Sequence, residues 1–588
     1  MNWQPDGSAD RRPSRWARAG SVALAAAVAG AAALVPGTTA AAASVPATFT
    51  VAGAGWGHGV GLSQYGALGM AREGFTATDI LTHYYSNTAV QSVDDSTDIR
   101  VNLLHQASSA TVQARSGGNV KVQVMSGDAV TAELVAGPGT TFGLGVGGAT
   151  VTATQRNSGQ TAAGSRLRIY WEGTRFAAAA GLGGTSTDVA VAGPGQTLGS
   201  APAYRYGWLD VQPVSGALEV VNVVRVHDEY LYGLAEVPSS WPLAALQAQI
   251  IAGRSYALAQ VALGTTSSCR CHVDDGGGPY YDQTFTGTGK LNEGAWGAVW
   301  RNAVDSTGSL AVTYGGTPIM AYYSSSTGGR TQNSEDVWTT ALPWARSVDD
   351  HWSIAPSVNP GGVWSVNVGQ AAMATAFGLP DVASVTVSAR YVSGAAQTVT
   401  AVSSTGRTAS IAGSTLQGKL SLRSTAVSTV VPAGQQAGVP VPASSAPISA
   451  GLPVLASGST GDAVRVLQAR LGVSVTGTFA SKTKAAVKKA QRAHGLKRTG
   501  VVDAATWKAL GITRWPAVVV GAAPPGLKQG DAGPVVSLLQ KKLKVKPRSG
   551  WFGPTTTAKV KAFQRSHKLK ATGKVTKATW TALKVTRL

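Results

Sequence analysis

Glu236 occupies a setting in which a carboxyl could act as a general acid. It lies in the segment Tyr230–Ala257, YLYGLAEVPSSWPLAALQAQIIAGRSYA, just ahead of Leu, Ala and Ile at helical spacing from Leu243 to Ala259. Ser239, Ser240 and Pro242 predict the capping oxygen and first-turn proline of that helix. The N–H groups and dipole of a helix entry favour an ionised carboxylate, whereas apolar Val237, Pro238 and Trp241 would raise its pKa. Only the protonated form can donate to the leaving oxygen of a glycosidic bond. The simplest alternative is a carboxylate that caps the following helix. Arg254, eighteen positions on, offers a permanent charge to an N-acyl or carboxylate group of a sugar, or an internal salt bridge to Asp228 or Glu229.

Two further stretches carry candidate ligand-binding groups. His58, Ser63, Gln64 and Tyr65 follow or interrupt the glycines of GWGHGVG, which let backbone approach a ligand but also suit a tight turn. Tyr322, Tyr323, Ser324 and Ser326 precede Gly328-Gly329. The two cysteines, Cys269 and Cys271, are followed by His272 and could form a short-loop disulfide, belong to a metal site or stay free and buried. Zinc takes four convergent ligands and this cluster supplies at most three, so a disulfide is expected and no metal or other cofactor.

These residues need elements to hold them. Short alternating runs between Asp98 and Gln212 (IRVNLL, TVQAR, VKVQV, LRIYW), separated by Gly, Ser and Asn, predict strands and turns, a β-rich insert over about 98–215. Leu218–Tyr230 reads as a buried strand leading into the Glu236 loop. Residues 428–450 carry Pro, Ala, Gly and Ser without charge, as an extended linker does. Beyond it the chain repeats at an offset of 72 to 73 residues: Leu467-Gln468 as Leu539-Gln540, Phe479 as Phe552, Gln491 as Gln564, Trp507 as Trp580. Each unit reads as three short helices whose Val464, Leu467, Leu471, Val487, Trp507 and Leu510 form an ordinary core.

Charge separates the same regions. Residues 451–588 hold 26 Lys and Arg against three Asp and no Glu, a net +23, although all 588 residues net +21, so residues 1–450 net −2. Basicity confined to one end implies a polyanionic partner or a well-solvated surface. Arg11, Arg12, Arg15 and Arg18, the apolar run Ala19–Val35 and small residues through Ala43 have the layout of a secretory signal over 1–43. No later apolar run approaches the roughly 20 residues that cross a bilayer, so the rest reads as soluble. For an exported, wall-located protein the expected polyanion is the cell wall and not nucleic acid.

The Tyr230–Ala257 segment resembles the signature of the stage II sporulation protein D / LytB family, and so do GWGHGVGLSQYGALGMAREG (Gly55–Gly74) and PIMAYYSSSTGGRTQNSEDVW (Pro318–Trp338). The GHGVGLSQYGA block usually closes that domain and here opens it, which implies a permuted layout over 44–427 with the first segment packed back on the rest. The repeats resemble peptidoglycan-binding type 1 modules, at 451–511 and 526–588 around a linker at 512–525. The second copy carries Trp551-Phe552-Gly553-Pro554, which the resemblance assigns to wall binding. The implied fold is an α+β catalytic-type domain with a β-rich insert, followed by two small all-α modules. The implied activity is lytic transglycosylation of peptidoglycan with Glu236 as acid/base and Arg254, Gln247, His58, Ser63, Gln64, Tyr65, Tyr322, Tyr323, Ser324 and Ser326 at the site. Gln247 stands where the family usually has Lys, Ala244 where it has Glu, and Ser324 where relatives often have His. The alternatives are a non-catalytic activator of a cell-wall amidase and a wall-binding structural protein.

Overall fold

The computed structural model describes residues 45–275, 282–435, 455, 462–476, 479–512, 526–546 and 549–585. The expected signal segment and most of both expected linkers lie outside these residues. The N-terminal region is mixed α/β with many strands, and the C-terminal region is helical.

The predicted alternation folds into two antiparallel-rich sheets. Strand Arg166–Trp171 points Leu167, Ile169 and Trp171 into the core and Arg166, Arg168 and Tyr170 outward, as a period of two requires. It is the fifth strand of a seven-stranded sheet ordered 273–274, 98–107, 217–225, 208–214, 166–171, 120–126, 129–136. A six-stranded sheet built from Ser109–Ala114, Thr141–Gly147, Thr150–Gln155 and their neighbours lies in the same hydrophobic core. Ala217–Arg225, which leads toward Glu236, pairs with both Asp98–Ala107 and Trp208–Val214, so the β-rich stretch and the Glu236 segment share one sheet.

Helix Leu243–Leu263 runs through the middle of the domain. Apolar residues occupy every side, which marks a helix buried all round rather than an amphipathic one. Leu246, Ile250, Ala257 and Leu258 join the sheet core, while Ala248, Ile251 and Ala252 join a second cluster with Leu62, Ala67, Ile80, Leu81 and Val312. Pro242 takes the cap position with no side-chain hydrogen bond, so the expected Ser239 or Ser240 cap does not form. The Ser239 hydroxyl instead accepts from the buried Lys290 ammonium at 3.2 Å.

The first described segment closes onto the last part of this region. Thr48–Ala54 lies between Val363–Gly369 and Val427–Pro432, antiparallel to both. The first residues of the linker expected from Ser428 therefore lie in a strand, and its residues from 436 onward fall outside the described residues. Val427 and Val430 are buried in this edge strand, and Pro432 sits at its end, where a missing N–H is tolerated. Leu62–Ser63 pairs in parallel with Tyr323–Ser324, which zips the first glycine-rich block to the third block. Gly61, at φ +74°, lies so close that an added Cβ would stand 2.1 Å from the Tyr322 carbonyl oxygen.

The repeats fold as Asp462–Leu471, Ser481–Ala493 and Ala504–Ala509, then as Pro534–Lys542, Pro554–Ser566 and Lys577–Ala582. Each copy has its own core, around Trp507 and Trp580.

Candidate active site

The zipped blocks and the Glu236 loop meet. Glu236 is half-buried, and its Oε1 accepts the Thr284 N–H at 2.5 Å. Gln64 Nε2, at the start of helix Gln64–Arg72, reaches both the Glu236 main-chain oxygen and Oε2 at 3.4 Å. The Thr284 and Tyr323 side chains also hydrogen-bond the carboxyl. Burial is the largest influence and raises the Glu236 pKa against these donors.

A relay of hydrogen bonds fixes the Tyr323 donor. Tyr230 donates its hydroxyl proton to Gln283 Oε1, and Gln283 Nε2 donates to the Tyr323 hydroxyl oxygen at 2.5 Å. That leaves the Tyr323 O–H to point at Glu236. Burial first, then the charge of Glu236, raises the Tyr323 pKa well above its ordinary value, so the phenol stays a donor. Lys290 donates to the Val237 carbonyl at 2.6 Å and pins the loop just after Glu236.

Two more acids stand close by. Burial, reinforced by the charges of Glu236 and Asp274, raises Asp275 to about 8 against a hydrogen bond from the Phe285 N–H. Burial raises Asp282 to about 6, although Tyr256 donates to its Oδ1 at 2.6 Å. Sequence reasoning missed Thr284, Gln283, Asp275 and Asp282, because they lie outside the three motif blocks; the pairing of Leu234 with Phe285 brings their stretch to the Glu236 loop.

The chain neighbours of Gln64 and Tyr323 lie in aromatic pairs. Tyr65 packs on Trp241 with centroids 5.3 Å apart, and Tyr322 on Trp338 at 4.5 Å. His58 lies 5.1 Å from Trp338, accepts the Val60 N–H on Nδ1, and is lowered to about 4 by burial. It is a neutral wall group.

Other expected site residues have different surroundings. Arg254 is fully buried, paired with Asp95 at 2.9 Å and donating to the Thr307 and Leu310 carbonyls. Neither the expected Asp228 nor Glu229 is its partner: Asp228 pairs with Arg225 and Glu229 with Arg175. The Asp95 partner, 159 positions away, left no local signal. Gln247 bonds to Ser306 Oγ at 2.9 Å. Ser63 caps helix Gln64–Arg72 by accepting from the Gly66 N–H, and the buried Ser324 and Ser326 belong to the seam between blocks.

Cys269 and Cys271 are joined in a disulfide, and His272 Nδ1 accepts the Arg100 N–H at 3.1 Å. Among the described residues no group of three His, Cys, Asp or Glu is placed to hold a metal ion. In the second module Phe552 is fully buried core, and Trp551 turns toward the first module, where it packs on that module's hydrophobic cluster under the Arg470 guanidinium at 5.7 Å. The aromatic pair read as wall-binding therefore serves internal packing.

Residues 214–314 match the model of the Stage II sporulation protein family, and residues 460–510 and 532–583 match that of a putative peptidoglycan binding domain. The chain thus carries one stretch similar to the Stage II sporulation protein family and two stretches similar to a putative peptidoglycan binding domain. Among its relatives, Stage II sporulation protein D of Bacillus amyloliquefaciens is 30% identical over 136 residues, 21% of this chain and 38% of that protein. An amidase enhancer of Bacillus subtilis is 35% identical over 109 residues, 18% of this chain and 13% of that protein. An uncharacterized protein of Brachyspira hyodysenteriae is 32% identical over 145 residues, 24% of this chain and 37% of that protein. The matched stretches thus span well under half the length of each relative.

Proposed function

We propose that the chain is an exported peptidoglycan-remodelling protein that cleaves glycan strands as a lytic transglycosylase. The observation that carries this reading is the half-buried Glu236 carboxyl, raised in pKa by burial and held by Gln64 and Tyr323, whose chain neighbours Tyr65 and Tyr322 lie in aromatic pairs. Protonated Glu236 gives its proton to the glycosidic oxygen as the C1–O bond breaks. The sugar's own C6 hydroxyl oxygen then bonds to C1, and its proton returns to Glu236, leaving a 1,6-anhydro end. Thr284, Gln64 and Tyr323 stabilise the carboxylate that exists between the two transfers.

The second carboxyl supports this route over hydrolysis. A two-carboxylate hydrolase needs an ionised base or nucleophile beside its acid. Asp275, with its pKa raised to about 8, is mostly protonated at neutral pH and supplies neither, and Asp282, raised to about 6, has its two oxygens occupied by the Tyr256 hydroxyl and the Asp274 N–H. The two peptidoglycan binding domains and the +23 charge of residues 451–588 support anchorage to the wall. No helix among the described residues is long and apolar enough to cross a membrane.

The test is mass analysis of purified glycan strands after incubation with the protein in H2(18)O. Anhydro ends without label are expected; labelled reducing ends would overturn the mechanism. A second reading, activation of a wall amidase, rests on the relative named amidase enhancer. It predicts no cleavage by the protein alone and faster stem-peptide release when an amidase is added.

A further inference from the structure

Two pairs of consecutive residues each send one member to Glu236 and the other to an aromatic partner. Gln64 reaches the carboxyl while Tyr65 packs on Trp241, itself five positions past Glu236. Tyr323 reaches the carboxyl while Tyr322 packs on Trp338. The parallel pairing of Leu62–Ser63 with Tyr323–Ser324 sets their spacing. Tyr322 lies at one end of it, bonded through its carbonyl to the Leu62 N–H, and Tyr65 lies at the other, bonded through its N–H to the Ser325 carbonyl. Tyr322 and Ser325 are three residue steps apart, about 10 Å along an extended chain. All of these rings are half-buried, and they carry polar edges without charge.

The geometry points to a glycan path across Glu236, with successive sugar rings stacked on Tyr65–Trp241 at one end and on Tyr322–Trp338 at the other. A pyranose ring offers a flat C–H face ringed by hydroxyls, and an aromatic ring with a polar edge matches both parts of it. The rings of both pairs carry no cationic group to pair with an anionic wall polymer, so the occupant is the sugar chain. This inference rests on the preceding reading for the class of polymer. It adds Trp241 and Trp338 as binding residues.

The test uses the full chain carrying Glu236→Gln, so that the probe is not cleaved, and soluble N-acetylglucosamine oligomers of two, four and six sugars. Saturable binding by calorimetry, tightening with length, is expected. Trp241→Ala and Trp338→Ala should each weaken hexamer binding about three- to tenfold and affect the dimer less. Trp338→Phe keeps a stacking face and should restore most of the loss. Trp296→Ala, an exposed tryptophan outside the cleft, should change nothing. No saturable binding, or hexamer binding untouched by both alanine variants, overturns the path. Cleavage by the Glu236-containing chain is scored separately. Anhydro ends formed with unchanged KM by both tryptophan variants sink the path and leave the catalytic reading standing. Lost oligomer binding in a chain that never cleaves does the reverse.

Discussion

In the Glu236 domain, motif side chains converge on one half-buried carboxyl, whereas in the paired modules the equivalent motif side chains converge on one another. Gln491 illustrates the second case. Its Oε1 accepts the Gly500 N–H at 2.9 Å and its Nε2 donates to the Val501 carbonyl at 2.8 Å and to Thr506 Oγ1 at 3.2 Å. Gln540 does the same with Gly550, Trp551 and Thr556, and Gln564 with Gly573, Lys574 and Thr579. Each glycine sits at positive φ, a turn that leaves its N–H facing inward, and each glutamine is buried. A recurring Gln in the modules therefore marks a turn clamp, while Gln64 in the first domain marks a site. Residue type alone does not separate the two; the exposure of the group it serves does.

The largest effect expected from breaking this contrast is on catalysis. Glu236→Gln keeps the shape of the side chain and one acceptor oxygen but removes the transferable proton, so glycan cleavage should fall about 10²- to 10⁴-fold with wall binding unchanged. Anhydro products at an unaltered rate would exclude Glu236 as the acid. Because burial raises the Glu236 pKa, its protonated share, and with it the cleavage rate, should fall as pH rises through that raised value.

A module clamp should respond in stability and not in chemistry. Gln564→Leu leaves the buried Gly573 N–H and the Thr579 hydroxyl without their partner, a loss of about 1–3 kcal/mol for the second module. Denaturant unfolding followed by the Trp580 signal should shift to lower concentration, and cleavage of soluble glycan by the first domain should stay constant. A parallel fall in both would mean that the regions unfold as one.

The contact between modules is weaker. Trp551→Ala removes packing on the first module and the Arg470 cation–π contact, for an expected loss of about 1 kcal/mol in the coupling of the two. The two modules should then melt as separate transitions, with sacculus binding reduced by the lost rigidity. An unchanged single transition would show that Trp551 contributes nothing between them.

Much of this architecture was legible in the sequence. Arg166–Trp171 announces its strand by strict alternation, and the repeat at Gln491 and Gln564 announces its modules, because both signals arise from neighbours close in the chain. Glu236, Gln64 and Tyr323 were legible as motif residues. Arg254 misled for a physical reason: a charge inside an apolar helix implies a nearby counter-charge, and the one it has, Asp95, comes from a distant loop. Asp275 and Thr284 were invisible, since what matters in them is burial and a backbone N–H, neither of which a residue type encodes.

The smallest expected effect compares one carboxyl from each region by the sign of its pH dependence. Asp275 has its pKa raised to about 8 in the folded chain, so between its unfolded value near 4 and pH 8 the native state holds a proton that the unfolded state has released. Stability contributed by this group therefore declines as pH rises across that window and is level above it. Asp503 is the opposite case: its Oδ1 accepts from Thr506 N at 2.8 Å and from Thr506 Oγ1 at 2.7 Å at a helix start, which lowers its pKa, so its contribution is present above the unfolded value and is lost as pH falls. Asn at either position cannot titrate but can still accept the same hydrogen bonds. Relative to the parent chain, Asp275→Asn should gain melting temperature steadily from pH 4 to 8, with the gain confined to the first domain's transition. Asp503→Asn should lose its deficit toward pH 3 in the module's transition. If the Asp275→Asn and parent curves run parallel from pH 4 to 8, Asp275 is ionised in the cleft. The two-carboxylate hydrolase would then regain its base.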